Sequence, residues 1–102
     1  MRIDGRDVVG RGFPPDEGKK LAEALLARTP DWSDLEIDLS EIAPALLISA
    51  FFNGFLQAVH EQKPELLESA KKVKWVMQYE FQLANVKKWM EHFKPTKNPA
   101  KA

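Results

Sequence analysis

Hydrophobic positions change their spacing several times along the chain, and each spacing predicts a different element. The pair Val8–Val9 lies among glycines in the segment Asp7–Phe13, which favours short, hairpin-like strands over one long strand. The prolines and acidic residues of Pro14–Glu17 are typical of a helix start. An apolar stripe at helical spacing follows and ends shortly before the next proline. The pattern therefore predicts a first helix that begins within Pro14–Glu17 and ends near Arg28–Pro30.

The middle of the chain alternates and then becomes helical. Leu35, Ile37 and Leu39 are separated by acidic residues, which is the period of a half-buried strand. From Phe52 to Val59 the apolar side chains recur at i, i+3, i+4 and i+7, so a second helix with one buried face is predicted there. Pro64 interrupts this helix and begins a short helical turn.

The last third of the chain repeats the order of strand and helix. Val73–Tyr79 alternates again and is predicted as a strand. Either its first, third and fifth residues face the core or its second, fourth and sixth do, and the first set is the more apolar. Apolar residues at helical spacing predict a final helix over Glu80–Phe93, which Lys94-Pro95 terminates. Residues 95–102 are lysine, proline, small and polar residues with little to bury, so we expect a flexible tail there.

Strands that alternate with amphipathic helices predict an α/β fold. We expect a small mixed sheet of about three to four strands, with amphipathic helices packed on it and the N-terminal strands as an antiparallel edge. A chain of 102 residues is long enough to bury one core without disulfide support. The predicted organisation is a single domain over residues 1–94 followed by the tail.

Composition narrows the classes of function. Fifteen basic residues balance fifteen acidic ones, so the chain as a whole has no electrostatic field that would hold nucleic acid. The longest weakly polar stretch, Ile42–Leu56, is too short and interrupted to span a bilayer, and the charged amino end lacks a signal-peptide run. The absence of cysteine fits a reducing compartment. We expect a cytoplasmic protein that binds neither nucleic acid nor membrane.

Candidate chemistry is sparse. His60 and His92 are far apart in the sequence, so a metal site or an acid–base pair would need the fold to join them, and surface positions are favoured. Ser49, His60 and Asp38 are the residue types of a hydrolase triad, but a triad is not favoured because no Gly-x-Ser-x-Gly turn is present. The N-terminal glycines match neither dinucleotide nor Walker spacing. We expect no catalytic residue, no metal ligand and no cofactor.

Two residues admit both a structural and a functional interpretation. Asp38 shares one face of its strand with Glu36, either as part of a solvated rim or as a strand end beside a functional loop. Phe51 flanks the apolar stripe of the second helix, where it either widens the buried face or projects as an anchor for a partner. Burial in the core is favoured for Phe51.

The segments Ile37–Ile42 and Ile48–Leu56 resemble the STAS and STAS-like domains, typified by bacterial anti-sigma factor antagonists. The family pattern is a strand ending in Asp-Leu-Ser or Asp-Phe, a short loop, and a serine-bearing turn that opens an apolar helix. The resemblance covers roughly residues 5–94. It implies a phospho-acceptor near the helix entrance, for which Ser49 is the nearest candidate and Ser40 the second. Ser49 is alternatively a simple helix cap.

The resemblance implies a non-enzymatic regulatory module that binds another protein, such as a kinase or a regulatory factor. The expected partner-binding residues lie in and beside the segment Ser40–Asn53; they are Asp38, Ser49, Phe51 and Asn53. Two alternatives stay open: a stand-alone inhibitor or mobile-element accessory protein that uses the fold as a scaffold, and a small-ligand binder or minor enzyme with a pocket near Asp38. A homodimer formed through the apolar helix is a further expectation.

Overall fold

A computed structural model describes residues 2–28 and 31–95 of the chain. These residues form three β-strands and four α-helices in the order β-α-β-α-α-β-α. The strands are β1 (Arg2–Asp4), β2 (Glu36–Asp38) and β3 (Lys74–Val76), and the helices are α1 (Pro14–Arg28), α2 (Ser49–Gln62), α3 (Leu67–Lys71) and α4 (Glu80–His92). Short 3-10 turns at Gly5–Asp7 and Pro64–Leu66 follow β1 and α2.

The three strands form one parallel sheet in the order β1-β2-β3. Ile3, Ile37 and Trp75 are in register across the sheet, and all three are buried on its inner face. Parallel neighbours need a crossover connection, which α1 supplies between β1 and β2 and α2 with α3 supplies between β2 and β3. Arg2 and Glu36 alternate with the buried residues and point to the opposite face of the sheet.

Aromatic side chains fill the space between the sheet and the helices. Phe52 and Phe55 of α2 contact Trp75 of β3 edge to face, with ring centroids 5.2 and 5.3 Å apart. Phe52 also packs against Trp89 of α4 at 5.7 Å, and Phe55 packs against Trp32 at 6.1 Å. The edge-to-face contacts with Trp75 stabilise the fold by more than the burial of their surface area alone. These rings join β3, α2 and α4 in one core.

Two glycines allow α1 and α2 to cross at close range. A Cβ atom on Gly54 would lie 2.8 Å from Cα of Pro15, and one on Gly18 would lie 2.9 Å from the backbone N of Phe55. Both distances are shorter than ordinary van der Waals contact, and both opposing atoms belong to backbone. The absence of a side chain at these two positions therefore sets the separation of the two helices.

The predicted α/β class is confirmed, and so are most of its elements. Helix α1 begins at Pro14 and ends at Arg28, both within the predicted ranges, and α4 ends one residue before the predicted Phe93. Strands β2 and β3 lie inside the predicted segments Leu35–Leu39 and Val73–Tyr79. Val73 and Trp75 are buried, as the alternation of the third strand indicates.

The N-terminal strand lies earlier in the chain than the sequence pattern placed it. The segment Asp7–Phe13 forms a turn and a loop in which Val9 is buried, and the strand is Arg2–Asp4. This strand pairs parallel with β2, so the expected antiparallel edge is wrong, and every strand pair within residues 2–28 and 31–95 is parallel. The strand escapes sequence analysis because Ile3 is its one apolar residue, between two charged neighbours.

In the part of the chain that the structure describes, no helix has the length and apolar character needed to cross a bilayer. Most of the predicted C-terminal tail, from residue 96 onward, lies outside the described residues. The single domain over residues 1–94 stays a prediction.

Candidate functional site

The loops that follow the three strands meet at one side of the molecule. Because the strands are parallel, the loops 5–13, 39–48 and 77–79 all leave the same edge of the sheet and lead to the first turns of α1, α2 and α4. Leu39 N donates a hydrogen bond to Val76 O at 2.8 Å, which ties the second loop to β3. We call these loops and helix starts the carboxyl edge. In open α/β sheets, ligands bind outside the carboxyl ends of the strands.

Four large hydrophobic side chains are exposed in the described part of the chain, and all four lie at the carboxyl edge. Phe13, Ile48 and Tyr79 each directly precede a helix, with exposed fractions of 69, 43 and 49%, and Phe81 in the first turn of α4 is 63% exposed. The rings of Tyr79 and Phe81 stack with centroids 5.5 Å apart and planes 12° apart. Grouped exposure of large apolar side chains marks interaction surfaces, whereas scattered exposure needs no explanation.

A groove of about 950 Å³ opens between the first two loops of this edge. Its lining comes from residues 6, 9–12 and 14 of the first loop and helix start, and from residues 41–43, 45 and 46 of the second loop. We call it the edge groove. Most of these side chains are apolar or glycine, and the charged ones are Arg6, Arg11 and Glu41. Phe13 lies in the chain between the groove residues Gly12 and Pro14, and Ile48 follows the groove residue Leu46 by two positions, so exposed apolar side chains flank both loops of the groove.

The wall of the edge groove is fixed by a buried carboxylate. Glu17 of α1 accepts hydrogen bonds from the backbone N–H groups of Gly10, at 2.5 Å, and Gly12, at 3.2 Å. Lys20 Nζ lies 2.9 Å from the same carboxylate, and this contact, with the two backbone donors, holds the pKa of Glu17 below its usual value against the effect of burial. The ionised side chain thereby pins the loop on both sides of Arg11.

The two arginines of the groove differ in their surroundings. Arg6 forms an ion pair with Asp4 at 2.8 Å, and this hydrogen-bonded contact raises the pKa of Arg6, with a smaller contribution from the charge of Glu41. Arg11 is exposed and forms neither an ion pair nor a side-chain hydrogen bond with any residue of the described ranges. Arg11 is therefore the groove cation whose charge is free to meet another molecule.

Asp38 at the end of β2 is engaged within the chain. Its carboxylate accepts hydrogen bonds from Ser40 Oγ at 2.5 Å and Ser40 N at 2.9 Å, and from Arg2 at 2.8 Å. These bonds to Ser40, followed by the one to Arg2, lower the pKa of Asp38 to about 2. Arg2 also pairs with Glu36, so the two acidic residues form a charged cluster on the outer sheet face. Asp38 does not line the edge groove.

The two candidate phospho-acceptors have different exposure. Ser49 is exposed and is the first residue of α2, while Ile48 holds the N-cap position without a side-chain hydrogen bond. The interpretation of Ser49 as a helix cap is therefore wrong. Ser40 is half-buried, and its hydroxyl donates to Asp38.

Asn53 is exposed one helical turn after Ser49, so the two residues share a face of α2. Asn53 contributes to a second groove, of about 530 Å³, between the start of α1, α2 and the end of α4. Trp89 and His92 lie on the opposite wall of this groove. Ser49 thus directly follows the exposed Ile48, and Asn53 lies one turn further along the same face of α2, in the second groove.

Phe51 is fully buried and contacts Phe52 edge to face at 5.0 Å. The expectation that Phe51 binds a partner directly is therefore corrected, because its side chain does not reach the surface. The same burial applies to the whole apolar face of α2, whose aromatic residues pack against the sheet. That face is not available for the homodimer contact expected from the sequence.

The structure also tests the catalytic triad and the metal site that the sequence allowed. Ser49 and His60 lie on the same helix eleven residues apart, which places them roughly 16 Å apart along its axis, so they do not form a catalytic pair. The described ranges contain no group of three or more His, Cys, Asp or Glu side chains suited to a metal ion. His92 Nδ1 lies 2.9 Å from the backbone O of Lys88 in its own helix.

Sequence reasoning missed the residues that dominate this edge: Arg11, Phe13, Glu17, Ile48, Tyr79 and Phe81. A signal was present, because Phe13, Ile48 and Tyr79 each precede a predicted helix start and lie off the apolar stripes. No signal in the sequence joins Glu17 to the glycines before it. The chain matches no protein-family model, and no curated protein or solved structure is significantly similar to it.

Proposed function

We propose that this chain is a non-enzymatic, STAS-like protein-interaction module that binds a regulatory protein in the cytoplasm through its carboxyl edge. The observation that carries the proposal is the position of the four exposed hydrophobic residues, which all lie at that edge. The strand–loop–helix pattern of residues 37–56 supports the STAS-like assignment. The absence of cysteine supports the compartment.

The size of the apolar patch favours a transient partner. Four partly exposed side chains present on the order of 400–500 Å² to solvent, which is within the range of single patches on monomeric proteins. A stable interface of standard size covers about 800 Å² on each partner. The patch alone is thus smaller than a permanent interface, as expected for a regulatory contact that forms and dissociates.

Affinity capture with matched variants tests this proposal. A tagged chain is expressed in the source organism, and proteins that copurify are compared with those captured by a variant carrying Phe13→Ser, Ile48→Ser and Phe81→Ser. The control variant carries serine at Glu61, Lys63 and Glu65, which are exposed at the other end of α2. A partner that is retained by the control and lost by the edge variant supports the proposal. A partner that binds the edge variant as well as wild type would refute it.

The proposed regulation by phosphorylation concerns Ser49. Its exposure at the first position of a helix of 14 residues suits a phosphate, because free backbone N–H groups and the helix dipole favour negative charge there. Incubation with kinases of the source organism followed by mass spectrometry should map a phosphate to Ser49, and Ser49→Ala should abolish it. Modification of Ser40 alone would contradict this choice, since the Ser40 hydroxyl is engaged by Asp38.

A further inference from the structure

We infer that Arg11 recognises a carboxylate on an acidic, apolar peptide segment of the partner, which lies in the edge groove. This inference rests on the proposed function, since it names the partner chemistry that the same edge fits. Three features carry it: the free charge of Arg11, the rigid presentation of that residue, and the composition of the groove.

The charge of Arg11 is free, in contrast to that of Arg6, the other arginine of the groove. Arg6 is occupied by Asp4 and lies near Glu41, whereas Arg11 has no ionic partner in the described ranges. A guanidinium offers a planar fork of donors that matches a carboxylate in a bidentate pair. The complementary group on a ligand is therefore an anion placed at the Arg11 side of the groove.

The presentation of Arg11 is built into the fold. The residues on either side of it, Gly10 and Gly12, both donate their backbone N–H to the buried carboxylate of Glu17. A Cβ on Gly12 would overlap that carboxylate, so glycine allows this approach without a shift of the Glu17 side chain. Because the loop is already ordered, binding through Arg11 costs less conformational entropy than binding through a free loop. Glu17 is a positioning residue for Arg11.

The rest of the groove selects a peptide over a nucleic acid or a free phosphate. Its walls include Val9, Ile42 and Leu46, which suit apolar side chains. Glu41 lies in the same groove and would repel a dianionic phosphate or a polyanionic backbone more strongly than a single carboxylate, because the repulsion grows with the charge of the ligand. One free cation and an apolar wall match a segment that carries a single Asp or Glu beside hydrophobic residues.

The probe is a displayed library of random linear peptides selected on the full chain. Selected peptides should be enriched in an acidic residue next to apolar ones. Each is then titrated against wild type, Arg11→Gln and the control Arg28→Gln, which removes an exposed arginine at the far end of α1. We expect Arg11→Gln to weaken binding at least about tenfold and Arg28→Gln to leave it unchanged, because charge-assisted hydrogen bonds are the strong ones.

Glu17→Gln tests the positioning role. The amide leaves one of the two glycine donors without an acceptor, so amide hydrogen exchange at Gly10 and Gly12 should accelerate and peptide affinity should fall less than in Arg11→Gln. Unchanged exchange at both glycines would overturn the positioning role.

The outcomes separate this inference from the proposed function. Binding that survives Arg11→Gln but is lost with Phe13→Ser and Ile48→Ser overturns the inference and leaves the docking edge intact. Binding that survives all of these variants overturns both. Selection of peptides without acidic residues, failure to select any peptide, or Arg11-dependent binding of a single-stranded oligonucleotide in place of peptides each overturns the acidic segment as the occupant.

Discussion

Replacing Gly54 by alanine should destabilise the protein, although helix propensity alone predicts the opposite. In an exposed helix interior, glycine to alanine stabilises by roughly 1 kcal/mol. Here the new Cβ would lie 2.8 Å from Cα of Pro15, and a backbone atom is unable to rotate away. The helices must separate, and overpacking of this kind costs about 1–3 kcal/mol. We therefore expect a net loss of up to about 2 kcal/mol in the free energy of unfolding.

Urea unfolding followed by circular dichroism measures this change, with Asn53→Ala as the matched control. Asn53 is exposed in the same helix and next to Gly54, so its replacement should change the free energy of unfolding by less than about 0.5 kcal/mol. Gly18→Ala should destabilise as well, and the double variant should cost less than the two single losses together, because either methyl group separates the same helices. A Gly54→Ala protein that is more stable than wild type would refute the close crossing.

Three further outcomes follow from the burial, charge and exposure of single residues. Phe51→Ala should lower the free energy of unfolding by about 3–5 kcal/mol, because the ring is fully buried. A loss below about 1 kcal/mol in urea unfolding would contradict the burial of Phe51. Asp38 has a folded pKa of about 2, below its unfolded value, so its contribution to stability is present above about pH 4 and is lost as the pH falls towards 2. Carboxyl NMR titration should find this pKa for Asp38 in the wild type and a higher pKa in Ser40→Ala. Equal pKa values in the two proteins would show that Ser40 is not the main cause of the lowered pKa. Phe81→Ser should leave the thermal midpoint almost unchanged because the ring is 63% exposed, and a loss of several degrees would show that its stack on Tyr79 supports the fold.

The elements with long periodic patterns were predictable from the sequence. The bounds of α1 follow from two prolines at its start and a following proline, since both effects act within a few residues. Strands β2 and β3 each have a buried residue between two more exposed ones, and the alternation in the sequence predicts such a half-buried strand directly. Strand β1 was not predictable in this way, because three residues with one apolar side chain give no measurable period.

The residues of the candidate site also differ in how far the sequence predicted their surroundings. Ser49 and Asn53 were placed on the exposed surface near the start of α2, where a local motif already pointed. Phe51 was ambiguous because it lies at the margin of the apolar stripe of α2, where burial depends on which neighbouring helix covers that side. In the structure α1 covers it, and Phe51 is buried. For Asp38 the sequence leaves both a solvated rim and a strand end beside a functional loop open, and in the structure its carboxylate is used by Ser40 and Arg2.

The sequence by itself determined the α/β class, the sites of most helices and strands, and the lack of a sequence motif for catalysis, because composition, periodicity and turn chemistry act locally. Tertiary structure alone decided that the strands pair in parallel and that their loops therefore meet at one edge. It also decided that Glu17 holds the loop carrying Arg11, and that Phe13, Ile48, Tyr79 and Phe81 lie together at that edge. These relations join residues far apart in the chain, and only the folded packing brings them within reach of one another.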